Sequence, residues 1–254
     1  MSFLARIGLL LLAALKFGKL GGTLLSMLIA VGAYALLFGW RYAVGVVALL
    51  FLHEMGHYIA AKQRGLRVRL PMFIPFVLAV TLFDDTPHDA ETEAYVGLAG
   101  PMLGTVAAIG AYFLARDGGH HWLLAVSYTG FLLNLFNLIP LPPLDGGRVT
   151  AVLSPRIWLL GVPILGALMI YHFSWILLLI AIVAVPHVIS ALRFNPQDPA
   201  NARYYGAISP RVRWEYGLLY VGLIAFLGYM TNDVDEQLHP ERHPAVEQDQ
   251  VDNV

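Results

Sequence analysis

Seven stretches of this chain are apolar over lengths near the ~20 residues that an α-helix needs to cross a bilayer. They fall at about residues 21–39, 42–61, 95–115, 122–140, 157–171, 173–191 and 214–230. Lipid offers backbone N–H and C=O groups no partners, so such stretches must be helices that satisfy their own hydrogen bonds. Composition agrees. Of 254 residues, 58% are hydrophobic and only 13% charged, whereas a soluble domain carries about a quarter charged. The expected fold class is therefore an all-α polytopic membrane protein with about six to seven transmembrane helices. The fifth and sixth stretches are separated only by Tyr171-His172-Phe173-Ser174, so one long tilted span is the competing reading there.

Basic residues orient the spans. Lys16 and Lys19 precede the first, and Lys62, Arg64, Arg67 and Arg69 follow the second. Arg148 and Arg156 follow the fourth, and Arg193, Arg203, Arg211 and Arg213 lie between the last two. A cytoplasmic N-terminus puts all of these loops on one side, as expected for a multi-pass protein of a cell membrane. Residues 70–83, "LPMFIPFVLAVTLF", are apolar but short, and prolines break their start. A full span there would invert every later loop, so a re-entrant or interfacial hairpin is expected. Three regions follow: an N-terminal interfacial segment over 1–20, a membrane-embedded domain over 21–230, and an acidic, disordered tail over 231–254. The tail carries Asp233, Asp235, Glu236, Glu241, Glu247, Asp249 and Asp252. The net charge of −1 gives no argument for nucleic acid, and the absence of cysteine leaves only His, Asp and Glu to hold a metal.

One span carries groups that lipid does not tolerate without a reason. "FLHEMGHYIA" places His53, Glu54 and His57 about nine residues, or roughly 14 Å, inside from Lys62. Ionisable groups at that depth mark functional sites by default. His53 and His57, four apart, share a helix face and can hold one Zn²⁺, while Glu54 can act as general base toward a water that the metal makes acidic. A catalytic zinc takes a third protein ligand. Asp145, in "NLFNLIPLPPLDGGR", is one candidate, and His88, Asp84, Asp85, Asp89, Glu91 and Glu93 are the others. The residues alone leave the choice open. Of the remaining polar residues, Asn134 reads as an interhelical hydrogen bond, His187 as a packing or pathway residue, and His120 and His121 as a loop pair.

Together, His53-Glu54-x-x-His57, Asn137-x-x-Pro140-x-Pro142-x-x-Asp145-Gly146 and the small-residue run Gly100-Pro-Met-Leu-Gly104 resemble the site-2 protease family of intramembrane zinc metalloproteases. The resemblance covers roughly residues 42–150. It implies one zinc per chain held by His53, His57 and Asp145, with Glu54 as the base, and the activity of an intramembrane endopeptidase. It further implies a site toward the cytoplasmic side, substrates that are transmembrane proteins in the lipid bilayer, and substrate contacts at Asn137, Pro140 and Gly100. A homodimer is compatible with it. The PDZ and CBS domains of many relatives have no counterpart of sufficient length here. A proteolytically inactive scaffold of the same fold and a non-peptide zinc hydrolase are the alternatives. The four intact motif residues speak against the scaffold, and a base beside paired ligands suits hydrolysis.

Overall fold

The computed structural model describes residues 19–75, 78–206 and 208–242. The expected N-terminal interfacial segment therefore lies almost wholly outside the described residues, as does the tail beyond residue 242. The described chain is helical apart from one small hairpin, and it is a multi-pass membrane protein. Helix α1 is Lys19–Phe38 and α2 is Trp40–Gln63, joined at Gly39, whose φ of 83° is open only to a residue without a Cβ penalty. A two-stranded hairpin follows, β1 Met72–Ile74 and β2 Leu78–Val80. Then come α3 Ala90–Gly118, α4 His121–Asn137 and the short α5 Asp145–Ala151. A 3₁₀ segment, Pro155–Leu160, leads into α6 Gly161–Tyr171, α7 Trp175–Leu192, α8 Pro199–Tyr205 and α9 Pro210–Leu238.

Five of these helices, α1, α2, α3, α7 and α9, are long and apolar enough to cross a membrane. Two of the other expected spans are shorter helices. The fourth stretch forms the 17-residue α4, which stops at Asn137 because Pro140, Pro142 and Pro143 cannot continue a helix. The fifth begins as a 3₁₀ turn and leaves an α6 of only 11 residues. His172–Ser174 breaks the 157–191 run into two helices, and the Ser174 hydroxyl caps α7 by accepting from Ile176 N. At the far end, α9 continues through Leu238, so Asp233, Asp235 and Glu236 sit on a helix and not in a tail. Tyr112 Oη donates to Asp233 at 3.2 Å and Gln237 Nε2 reaches the same carboxylate at 2.8 Å, tying the end of α9 to α3.

The core is built where α2, α3 and α4 pack on one another, with α5 and α9 closing it. Phe131, Leu138, Val149 and Leu227 are fully buried in it, and Tyr220 Oη donates to the Leu138 carbonyl at 2.5 Å. Helix α3 is anchored at its start by Asp89, whose carboxylate accepts from Thr92 N at 2.7 Å, with Glu91 and Glu93 favourably placed in the positive first turn.

The expected hairpin over 70–83 is present, with Met72, Phe73 and Ile74 opposite Val80, Ala79 and Leu78. Nearer its base, Val68 pairs with Phe83 and Arg69 N donates to Leu82 O at 2.9 Å. Between the pairs Val68–Phe83 and Met72–Val80 one strand holds three residues and the other two, so Leu70 and Pro71 together face Thr81. This is a β-bulge, a position that tolerates proline. Phe73 N on β1 donates to Ser26 Oγ on α1 at 3.2 Å, and Phe73 is buried against Ala30 and Val47. Replacing Asp89 by Ala removes the α3 cap and is expected to cost about 1 kcal/mol. The thermal midpoint in detergent should fall for Asp89→Ala and stay near wild type for Asp89→Asn.

Candidate metal centre

His53, Glu54 and His57 are all buried; the two histidines meet α3, α4 and α5, and Glu54 meets Thr81 beside the hairpin. His57 lies six residues before the last residue of α2, about 9 Å along the axis. Opposite stands Asp145, the first residue of α5, also buried. His53 Nε2 is 3.1 Å from Asp145 Oδ2, His57 Nε2 is 3.3 Å from the same oxygen, and the two Nε2 atoms are 3.1 Å apart. Among the described residues, these three form the one group of His, Asp and Glu side chains close enough to hold a metal ion together.

The far side of each ring decides what the near side offers. His57 Nδ1 is 2.8 Å from the Val96 carbonyl, an acceptor, so Nδ1 carries the proton. His53 Nδ1 is 2.8 Å from Asn134 Oδ1, while Asn134 Nδ2 donates to Gly130 O at 2.7 Å. That second bond turns the amide so that its oxygen faces His53, and His53 also carries its proton on Nδ1. In the neutral rings both Nε2 atoms then present lone pairs, and so does the carboxylate. Three electron-pair donors converge in a buried space, an arrangement that repels itself unless a cation sits between them. Ligand atoms about 2.0–2.2 Å from one tetrahedral ion stand about 3.3–3.6 Å apart, close to the observed triangle. The residues present therefore fit a tetrahedral metal in both donor type and spacing, with the hydrogen-bonded Nδ1 atoms typical of metal-binding histidines.

Small residues make this approach possible. A side chain added at Gly100 would overlap the His57 ring, one at Gly104 would overlap the Asn134 amide, and one at Gly56 would strike the Ala99 carbonyl. On the α5 side, a Cβ at Gly146 would overlap the carbonyls of Leu138 and Ile139. Trp158 holds the same turn from outside, donating Nε1–H to Gly147 O at 2.8 Å, with the His187 ring edge-on to it at 5.8 Å. His187 is thus a packing residue. Asn134 is an interhelical hydrogen bond, as its position suggests, but the partner it bonds is His53. Thr81 was not singled out by sequence reasoning. Its Oγ1 donates to Glu54 Oε2 at 2.8 Å and both groups are buried. The signal for it was a hydroxyl inside the apolar run 70–83.

Of the alternative third-ligand candidates, His88 is exposed and outside the buried group, and the acids are engaged elsewhere. Asp84 pairs with Arg69 at 2.7 Å and Asp85 with Arg67 at 2.7 Å. Hydrogen bonds from Arg67 hold the Asp85 carboxyl down to about 2. Asp89 caps α3, Glu91 lies 3.5 Å from Arg64, and Glu93 accepts from Tyr204 Oη at 2.6 Å. Burial first, and the Glu93 carboxylate beside it, push the Tyr204 hydroxyl well above its ordinary value, so it stays a donor. His120 and His121 lie exposed at the start of α4. Asn137 is half-buried at the last residue of α4, and Pro140 is half-buried in the turn beyond. Gly100 packs on a candidate ligand, which by itself accounts for a residue that the resemblance implied as a substrate contact.

Parts of the chain resemble known proteins. Residues 41–118, the segment running from α2 through α3, match the model of Peptidase family M50. A protein of Methanocaldococcus jannaschii named as a zinc metalloprotease is 32% identical over 111 residues, which is 41% of this chain and 32% of that protein. A chloroplastic protein of Arabidopsis thaliana named a probable zinc metalloprotease is 25% identical over 153 residues, covering 42% of this chain and 28% of the relative. Stage IV sporulation protein FB of Bacillus subtilis is 29% identical over 129 residues, half of this chain and 45% of that protein. The chain thus spans less than half the length of each.

Asn134→Leu removes the acceptor that fixes the His53 ring. Outer partners of this kind are worth about 10–100-fold in metal affinity. Competition titration against a chromophoric zinc chelator should show a loss of that size, and an unchanged affinity would contradict the role given to Asn134.

Proposed function

We propose that the protein is an intramembrane zinc endopeptidase that hydrolyses peptide bonds within or near transmembrane segments of other membrane proteins. The observation that carries the reading is the buried convergence of His53 Nε2, His57 Nε2 and Asp145 Oδ2, with a second carboxylate, Glu54, on the residue next to a ligand. His53, His57 and Asp145 are the ligands of one zinc ion. Zinc bound there supplies Lewis acidity toward a peptide carbonyl and makes a water acidic near neutral pH.

Glu54 is the general acid–base. Thr81 holds Oε2, and Oε1 has no hydrogen-bond partner among the described residues. The free oxygen takes the proton of the attacking water as its oxygen bonds to the carbonyl carbon. The same carboxyl then gives that proton to the departing amine nitrogen as the C–N bond breaks.

A substrate helix must unwind before a carbonyl can reach the site, and each backbone group it exposes needs a new partner. The hairpin supplies them by strand addition. The outer edge of β1 is engaged by α1 through Phe73 N and Ser26 Oγ, so the incoming strand adds to β2. Asn137 lies at the end of α4, eight residues before the α5 side of the site begins, and makes no hydrogen bond through its amide to a described residue. It bonds the extended substrate backbone, and Pro140 and Gly100 border the same path. Basic loops put the site on the cytoplasmic side, with the N-terminus cytoplasmic. Lipid and transmembrane proteins are the partners.

Elemental analysis of the detergent-purified protein should find about one zinc per chain in wild type and in Glu91→Ala, with loss in His53→Ala and Asp145→Ala. Zinc retained in Asp145→Ala would remove it from the ligand set. Glu54→Gln should keep the metal but lose at least ~10²-fold in cleavage. The assay is a panel of single-span helices bearing mid-span helix-breaking residues, co-reconstituted in liposomes. Full activity in Glu54→Gln would contradict the proposed chemistry.

A further inference from the structure

We infer that Thr81 is a positioning residue for Glu54, and that the hairpin thereby places the base as well as receiving the substrate. This rests on the endopeptidase reading above and deepens it.

A glutamate side chain has three rotatable torsions, and nothing on α2 itself fixes where the Glu54 carboxylate points. The structure fixes it from outside the helix. Thr81 Oγ1 lies 2.8 Å from Glu54 Oε2 and 3.3 Å from the Glu54 carbonyl oxygen, 27 residues away in sequence. The hydroxyl is a single donor, and the shorter contact identifies its acceptor as Oε2. Both residues are buried, and there a hydrogen bond to a charged group is worth more than in water. One carboxylate oxygen is thus held, leaving the other to exchange a proton.

The backbone around Thr81 is built to aim it. Thr81 stands opposite the Leu70–Pro71 bulge, and bulges bend a strand and redirect its side chains. On its C-terminal side, Leu82 O accepts from Arg69 N and Phe83 pairs with Val68. The Arg148 guanidinium lies 4.8 Å from the Phe83 ring centroid. Arg148 belongs to α5, the element that carries Asp145, so one hairpin strand touches both the base and the helix of the third ligand. On its N-terminal side, Thr81 directly follows Val80, the last residue of β2. The strand whose open edge accepts an extended segment and the residue that sets the base are therefore contiguous. A hydroxyl that served only to satisfy core polarity would need no carboxylate partner. A threonine methyl packed in the same place would do for hydrophobic burial.

The test compares Thr81→Val, which keeps the shape and removes the donor, with Thr81→Ser, which keeps the donor. Liposome cleavage of the best helix in the panel is measured alongside zinc content and thermal midpoint. Isotope-edited infrared spectroscopy follows the Glu54 carboxylate band, identified by its absence in Glu54→Gln. Thr81→Val should lower kcat about 10–100-fold, the range typical of outer-shell partners. It should leave KM and zinc content near wild type and shift the carboxylate band. Thr81→Ser should restore both kcat and the band. Wild-type kcat in Thr81→Val, an unshifted band, or a Thr81→Ser variant as impaired as Thr81→Val would overturn the inference. So would parallel loss of zinc and stability, which marks a structural role. Failure of the wild type itself to cleave while holding zinc would instead overturn the endopeptidase reading.

Discussion

The structure depends on two hydrogen bonds made on the far sides of two rings. Val96 O and Asn134 Oδ1 accept from the Nδ1 atoms of His57 and His53, and this turns both Nε2 lone pairs toward the Asp145 carboxylate. Reverse either tautomer and the near side would carry a proton, forming an ordinary histidine–aspartate hydrogen bond with no room for a cation. The partners are held in turn: Asn134 by Gly130 O, and Asp145 by a turn whose Gly147 carbonyl is bonded to Trp158. A membrane interior makes the arrangement more demanding, because charge and unpaired polar groups there cannot fall back on water.

Close approach is the second requirement, and glycine meets it. Helix α3 lies against α2 and α4 at Gly100 and Gly104, and any larger residue would occupy the space of the His57 ring or the Asn134 amide. The small-x-x-x-small spacing is thus both helix packing and site construction. In lipid such contacts also drive helix association, since apolar burial alone gives helices little reason to prefer each other over acyl chains. Gly146 does the same for α5 against the end of α4, where the prolines have freed the chain from helical geometry.

Much of this was legible in the sequence. His53-x-x-x-His57 is a local pattern whose meaning follows from helix periodicity alone, and the hairpin over 70–83 followed from its length, its prolines and the charge of the loops beyond it. Features that join distant segments were not legible from residues alone. Asp145 meets His53 across 92 positions, and spacing could not prefer it over the 84–93 acids; only the motif resemblance did. Their exclusion became visible when Arg67, Arg69 and Tyr204 were seen to hold Asp85, Asp84 and Glu93. Thr81 was missed because a threonine in an apolar strand is unremarkable until the bulge opposite it is seen. The start of the fifth stretch and the end of the last differ from the expected bounds for another reason. Hydropathy marks where lipid is tolerated, whereas the Pro155-led 3₁₀ turn and the Tyr112–Asp233–Gln237 contacts decide where helices start and stop.

We propose that three side chains from α2 and α5 hold one zinc ion through two imidazole nitrogens and a carboxylate oxygen. Zinc-edge X-ray absorption on the purified protein reads this without any knowledge of the substrate. A first shell of nitrogen and oxygen at about 2.0–2.2 Å, with outer-shell scattering from two imidazole rings, is expected. A wild-type spectrum with no imidazole contribution, or full zinc content with an unchanged two-ring spectrum in His57→Ala, would contradict it.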